Sequence, residues 1–201
     1  MEFQTERLIL RSWKESDAES LFKYACNPSV GPSAGWSVHK SIEESLGVIK
    51  NVLCGKECFA VCLRSDDMPI GCVELILNGA SDSAGNSDEC ELGFWLAQPF
   101  WGQSIMSEAA GRLILHAFED LHMKKIWCRY YEGNEKSEKI QHRLGFDFVE
   151  SCKNVEVPLL KERRTVYKNC LTREKWEMRR NFSIALMSLL GSAGAFAGIA
   201  V

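Results

Sequence analysis

The chain lacks an excess of either charge, a disulfide pattern and an apolar leader, and each absence removes a class of function. Lys and Arg number 24 against 27 Asp and Glu, a net charge of −3. Polyanion binding needs clustered cations, so no nucleic-acid partner is expected. Nine cysteines are present, but the number is odd and no two stand in C-x-x-C spacing. Scattered through apolar stretches, they read as reduced thiols of a cytoplasmic protein. Cys54 and Cys58 stand four residues apart, yet Gly55 falls between them and no histidine follows closely, so no metal is expected. The four histidines, His39, His116, His122 and His142, offer no i,i+4 pair either. Met1 to Arg7 carries no apolar h-region, so export is not indicated. There is no low-complexity tract and no repeat of fixed period.

What is present is an ordinary globular composition over 201 residues, enough for one core plus an appendage. Leu8 and Leu10 alternate with polar neighbours as a first strand. Ser16 and Asp17 offer N-caps for a helix carrying Leu21, Phe22 and Tyr24, and Asn27-Pro28 ends it. Val30 to His39 reads as a loop around Trp36. Ser41-Ile-Glu-Glu44 matches a capping box that opens a second helix running to Gly55. Cys58 to Leu63 and Ile70 to Leu77 read as a hairpin, Asn78 to Ser87 as a loop, and Cys90 to Leu96 as a further strand. From Ser104 the spacing turns helical, with Ile105, Ala109, Leu113 and Ala117 on one stripe. Lys125 to Tyr131 is then a strand, Glu135 to Leu144 a helix stopped by Gly145, Phe146 to Glu150 a strand, and Arg164 to Leu171 a last one. The sum is an α/β (α+β) domain with about seven strands: an antiparallel meander, then a half in which crossover helices deliver parallel pairing.

Two segments carry the chemistry. In Glu91-Leu-Gly-Phe-Trp-Leu-Ala-Gln-Pro-Phe-Trp-Gly-Gln-Ser-Ile-Met-Ser-Glu-Ala109 a strand passes through a short loop into a helix. The N–H groups of Gly102, Gln103, Ser104, Ile105 and Met106 lie near its start, where orphan donors and the macrodipole favour phosphate. In Asn134-Glu-Lys-Ser-Glu-Lys-Ile-Gln-His-Arg-Leu-Gly-Phe146, Asn134 is an N-cap, Ser137 sits one turn in and Leu-Gly-Phe closes the helix. Taken alone, a plain turn explains Gly102 and capping explains Asn134.

Together, in this order and spacing, they resemble the GNAT superfamily of acetyl-CoA-dependent N-acetyltransferases, and within it the branch of ribosomal-protein N-terminal alanine acetyltransferases. Thr5-Glu-Arg-Leu-Ile-Leu-Arg11, Ile70-Gly71 and Val30-Gly-Pro-Ser-Ala-Gly-Trp36 with His39 extend the likeness over about Thr5 to Trp176. The resemblance implies a single mixed, mostly antiparallel sheet, splayed between the strands that end near Leu96 and Tyr131, with acetyl-CoA wedged in the gap. Pantetheine would pair with backbone at Phe94, Trp95 and Leu96, the diphosphate would meet the amides of Gly102 to Met106, Asn134 would touch the pantetheine arm, and Ser137 would face the sulfur. The family loop carries Gly-x-Gly; here Ser104 takes the second glycine's place, which adds about 1 kcal/mol of strain if the position requires positive φ.

The implied reaction is acetyl transfer to a primary amine, of a protein N-terminus or a small molecule. It needs a base and a donor to the leaving thiolate. Glu91 is the first candidate base and Glu74 the second; Ser137 is the first candidate donor and Tyr131 the second. Trp36, His39 and Glu74 are candidates for the acceptor side. A CoA-binding module of the same shape, without turnover, is the alternative function.

The catalytic domain is expected over 1–176, followed by an apolar extension, 177–201. Asn181 to Val201 carries no charge. A membrane anchor behind Arg179 and Arg180, a docked or dimer-forming helix, and an unstructured extension all stay open for it.

Overall fold

The computed structural model of the chain describes residues 1–77 and 83–195, with side chains described outside 184 and 186–195. In chain order the elements are β1 (Glu2–Gln4), β2 (Leu8–Arg11), α1 (Ala18–Ala25), α2 (Gly31–Ala34), α3 (Ile42–Asn51), β3 (Cys58–Leu63), β4 (Pro69–Ile76), β5 (Glu89–Leu96), α4 (Ile105–Glu119), β6 (Lys125–Tyr131), α5 (Glu135–Leu144), β7 (Asp147–Val157), β8 (Glu162–Thr172) and α6 (Arg173–Ala195). One sheet orders the strands β1-β2-β3-β4-β5-β6-β8-β7. Every neighbouring pair is antiparallel except β5 with β6.

The sheet is covered on both faces, and strand alternation sorts the side chains between two cores. Phe59, Val61, Val73, Cys90 and Leu92 face the core under α4, where Ile105, Ala109, Leu113 and Ala117 are buried as their spacing requires. Ala60, Cys62 and Cys72 face the other core, with Trp13 and Leu21 from the α1 side and Ile49 from α3. Each Val, Leu, Ile or Phe among these contributes roughly 1.5–3 kcal/mol on burial. Six of the nine cysteines are buried, Cys152 is partly buried, Cys26 and Cys54 are exposed, and all nine are free thiols.

The sheet has eight strands rather than about seven. The extra one is β1, which the alternation begun at Leu8 does not reveal because only Phe3 of its three residues is buried. The expected cap of α1 is also replaced. Asp17 makes no capping bond through its side chain; its carboxylate instead accepts from Arg11 Nη1 at 2.8 Å, Arg11 Nη2 at 3.0 Å and Lys14 N–H at 2.8 Å. A buried guanidinium offers a stronger bond than a neutral amide, so the cap yields to the ion pair. Ser41 does cap α3, accepting from Glu44 N–H at 3.2 Å. That helix stops at Asn51, earlier than the expected Gly55. The expected loop over Val30 to His39 holds the short helix α2, and 78–82 of the next expected loop lie outside the described residues. Beyond Trp176 the tail continues α6 to Ala195, and 196–201 lie outside the described residues. Among the described residues no helix is long and apolar enough to cross a membrane.

Candidate functional site

The two central strands part. β5 and β6 pair only at Glu89, Cys90 and Glu91 with Lys125, Ile126 and Trp127. Beyond that, β5 continues beside β4 to Leu96, and β6 beside β8 to Tyr131. Among the described residues the inner edges past Glu91 and Trp127 therefore lack a strand partner, as the expected splay requires. Ala97 N–H bonds Ile70 C=O across β4. With a period of two, the N–H groups of Phe94 and Leu96 then face the opening, while the backbone of Trp95 faces β4. The Leu96 carbonyl accepts from Trp101 Nε1 at 2.7 Å, which folds the following loop back onto the end of β5.

That loop leads into α4. Gly102 has φ +77°, and a Cβ there would meet nothing within 4 Å, so glycine answers to the backbone conformation and leaves open space above the chain. Ser104 has φ 60° and ψ 10°, the left-handed region, and serves as N-cap without a capping side-chain bond. Its Oγ instead accepts from Arg143 Nη1 at 2.7 Å. The first rung of the helix ladder runs from Glu108 N–H to the Ser104 carbonyl, so the amides of Gly102 to Met106 precede any intrahelical bond. Ile105 and Met106 are buried and fix the helix start to the core. Glu108 ties it to the β1–β2 turn, accepting from Thr5 Oγ1 at 2.6 Å, Arg7 N–H at 2.9 Å and Arg7 Nε at 2.6 Å. Burial alone would raise its pKa, but these donors together hold it below the usual carboxylate range.

Across the gap, Asn134 caps α5 by accepting from Ser137 N–H at 3.2 Å, and its Nδ2 donates to Ser33 C=O at 3.1 Å. Ser137 is buried, and its Oγ accepts from Gln141 Nε2 at 3.1 Å. The fully buried Gln141 also donates to Arg129 C=O and accepts from Asn169 Nδ2 at 2.9 Å. A hydroxyl that already accepts keeps its own proton to give.

The face toward α1 and α3 carries the acceptor-side candidates. Glu91 is buried and accepts from Arg129 Nε at 2.7 Å. Glu74 lies over Gly93, where a Cβ would stand 2.9 Å from its Oε1. Burial, joined by the nearby Glu91 charge, raises its pKa above the ordinary carboxylate value, and the Cys58 thiol donating to it pulls the other way. Trp36 packs edge-on to Trp95 at 5.9 Å and tilted on His39 at 5.3 Å. His39 is buried with Nδ1 2.8 Å from Ser45 Oγ, and burial lowers its pKa, so it stands neutral at pH 7. Tyr131 reaches α2: a Cβ on Gly35 would lie 2.5 Å from its hydroxyl oxygen, and Arg164 stacks over its ring at 5.1 Å.

Reading the sequence did not single out Arg129 or Gln141. Arg129 pairs with a residue 38 positions away, which no spacing reveals. Gln141 had a faint signal, a polar residue one turn from Ser137 on a helix that must bury one side.

Residues 7–147 match the acetyltransferase (GNAT) domain family. Over 58 residues the chain is 38% identical to YdaF of Bacillus subtilis, a protein named after ribosomal N-acetyltransferase activity; this match spans 29% of the chain and 32% of YdaF. Over 147 residues it is 26% identical to the uncharacterized N-acetyltransferase p20 of Bacillus licheniformis, covering 71% of the chain and 80% of p20. Among solved structures, a GNAT-family acetyltransferase from Bacillus anthracis superposes with a TM-score of 0.75 at 18% identity, covering 87% of this chain and 99% of that one. A ribosomal-protein-S5-alanine acetyltransferase from Vibrio fischeri superposes with a TM-score of 0.63 at 20% identity, covering 88% and 98%. Relatives named for ribosomal acetylation thus stand among those it resembles, in keeping with the branch likeness. With the matched domain spanning more than two thirds of the chain and the parted strands in place, the protein belongs to the GNAT family of acetyltransferases, and so to the acyltransferases.

Proposed function

We propose that the protein transfers the acetyl group of acetyl-CoA directly to a primary amine, within the domain 1–176. The observation that carries this reading is the early parting of β5 from β6, flanked by a helix start whose amides have no backbone acceptor among the described residues and by a buried serine hydroxyl. The residues present fit the coenzyme. The open edge at Phe94 and Leu96 offers main-chain groups to an amide-bearing arm, the space above Gly102 admits a diphosphate, and Gly102 to Met106 supply donors. Bound acetyl-CoA supplies a thioester carbonyl and a thiolate leaving group.

The remaining work falls to the chain. Glu74 takes the proton from the incoming ammonium, directly or through water, because burial holds its carboxyl nearer working pH than an ordinary glutamate. Glu91, paired with Arg129, instead serves to hold the two strands at the point where they part. Ser137, oriented by Gln141, donates to the departing sulfur, with Tyr131 as second candidate. Trp36, Trp95 and His39 wall the acceptor side, where carboxylates favour a cationic amine. The names of YdaF and of the Vibrio fischeri protein make a protein N-terminus the first acceptor to test.

The strained Ser104 and the neutralised Glu91 favour a second reading, a coenzyme-binding module without turnover. Calorimetry with acetyl-CoA, followed by a thiol-release screen over N-terminal peptides, polyamines and aminoglycosides, separates them. Thiol release on one amine class supports the transferase. Coenzyme binding with no release across the whole screen favours the module.

A further inference from the structure

One row of the sheet crosses three strands on the face toward α1 and α3. Cys58 of β3 stands opposite Glu74 of β4, and Glu74 stands opposite Gly93 of β5. Residues directly opposite one another project to the same face, with Cβ atoms about 4.5–5.5 Å apart. Glu74 is half-buried, and among the described residues it has no cation in ion-pair distance. Its two neighbours in the row therefore decide where the carboxylate lies.

On one side Gly93 contributes no side chain. A Cβ there would stand 2.9 Å from Glu74 Oε1 and 3.1 Å from its Cγ, so the glutamate fills the space that another residue would take. It thus leans over β5, past the last residue at which that strand pairs with β6.

On the other side stands a pair of thiols. Cys58 Sγ lies 3.6 Å from Cys72 Sγ, and both side chains are buried. A thiol has one proton to donate, and an ionised carboxylate can only accept. With Cys58 donating to Glu74, the Cys58 sulfur is left to accept from Cys72, and both thiol protons are used. The Cys58 sulfur, then burial, push the Cys72 thiol well above the ordinary thiol value, so the far end of this chain of bonds stays protonated.

We propose that Cys58, backed by Cys72, is a positioning residue for the base Glu74, its thiol holding the carboxylate across Gly93 toward the opening between β5 and β6. This rests on the reading of Glu74 as the base given above. A donor at that place also favours the ionised carboxylate, the form that takes a proton from the ammonium.

The pH dependence of kcat for full-length wild type, Cys58→Ala, Cys58→Ser, Cys72→Ala and Glu74→Gln, measured under reductant with the best amine of the screen, tests it. Loss of the donor in Cys58→Ala moves the acid limb to higher pH, so that kcat on that limb falls about threefold or more below wild type. Cys58→Ser, whose hydroxyl donates, returns the limb toward wild type, and Cys72→Ala moves it less than Cys58→Ala does. The KM for acetyl-CoA stays within twofold throughout. A merely structural thiol would change the melting temperature and leave the limb in place. An unmoved limb in Cys58→Ala, with Glu74→Gln impaired, overturns the positioning role and leaves Glu74 as the base. A limb displaced alike in Cys58→Ala and Cys58→Ser also overturns it, since packing rather than donation would then be at work. Glu74→Gln as active as wild type, or wild type without turnover on any amine, overturns both readings.

Discussion

Arg129 Nε donates to Glu91 Oε1 over 2.7 Å, joining the last residue of β5 that pairs with β6 to a residue two beyond the last paired one of β6. One step earlier on the same face, Trp127 Nε1 donates to Glu89 Oε2, also at 2.7 Å. Side chains therefore bridge the two strands up to the apex of the opening. The price is that Glu91 faces a cation, whereas the half-buried Glu74 near it has no cation in ion-pair distance among the described residues.

From this asymmetry we expect Glu74→Gln to lower kcat about 10²-fold, and Glu91→Gln to have the smaller effect on turnover. Steady-state kinetics with the best amine of the screen checks the order. Equal activity of Glu74→Gln and wild type would remove Glu74 from the base role.

The same carboxyl makes a prediction on stability. A group whose pKa is raised on folding binds its proton more tightly in the native chain, so stability falls as pH rises from the unfolded value through the raised one. Glu74→Gln, which carries no charge, should unfold at a higher temperature than wild type at pH 7, with the difference shrinking toward pH 4. Thermal melts across that range, showing no convergence, would contradict the assignment.

Ser137→Ala should cut turnover by about 10² while leaving CoA affinity within a fewfold, because only the proton to the sulfur is lost. Gln141→Leu should reduce turnover as well, through the orientation of that hydroxyl. Unchanged rates in Ser137→Ala would pass the donor role to Tyr131.

Ser104→Gly removes about 1 kcal/mol or more of left-handed strain and returns about 0.5 kcal/mol as chain entropy, for a net gain of a few tenths to 1 kcal/mol. Denaturant unfolding reads this directly. A loss of stability would mean that the Arg143 bond outweighs the strain.

Ending the chain after residue 176 should destabilise it more than ending after 182. Trp176 packs on Phe118 at 5.0 Å and survives both cuts, but only the longer form keeps Arg179 over Gly145 and Arg180 on Glu119. Melting temperatures of the two truncations and of full-length protein, each with and without CoA, check this. Identical values would make residues 177–182 dispensable to the domain.

Much of the domain was legible because it is local. The stripe Ile105, Ala109, Leu113, Ala117 gave α4, Ser41 gave the start of α3, and Asn134 with Gly145 bounded α5, since each signal lies within a few residues of its effect. Asp17 misled, because its cap competes with Arg11, whose guanidinium is brought to it only when Asp67 closes the same cluster from the β3–β4 turn.

By itself the sequence determined the order of the longer strands and helices, though not β1 or α2, and the Gly-x-Ser junction where a helix starts, all consequences of backbone preference and periodicity. Only the tertiary structure decided that the strands part after Glu91, that this glutamate meets Arg129, that Gln141 orients Ser137 and that Arg143 sits on Ser104. Those relationships join residues 4 to 39 positions apart through space. Apart from the single helical turn between Ser137 and Gln141, no spacing rule links their members until burial of the two cores has fixed where each strand and helix lies.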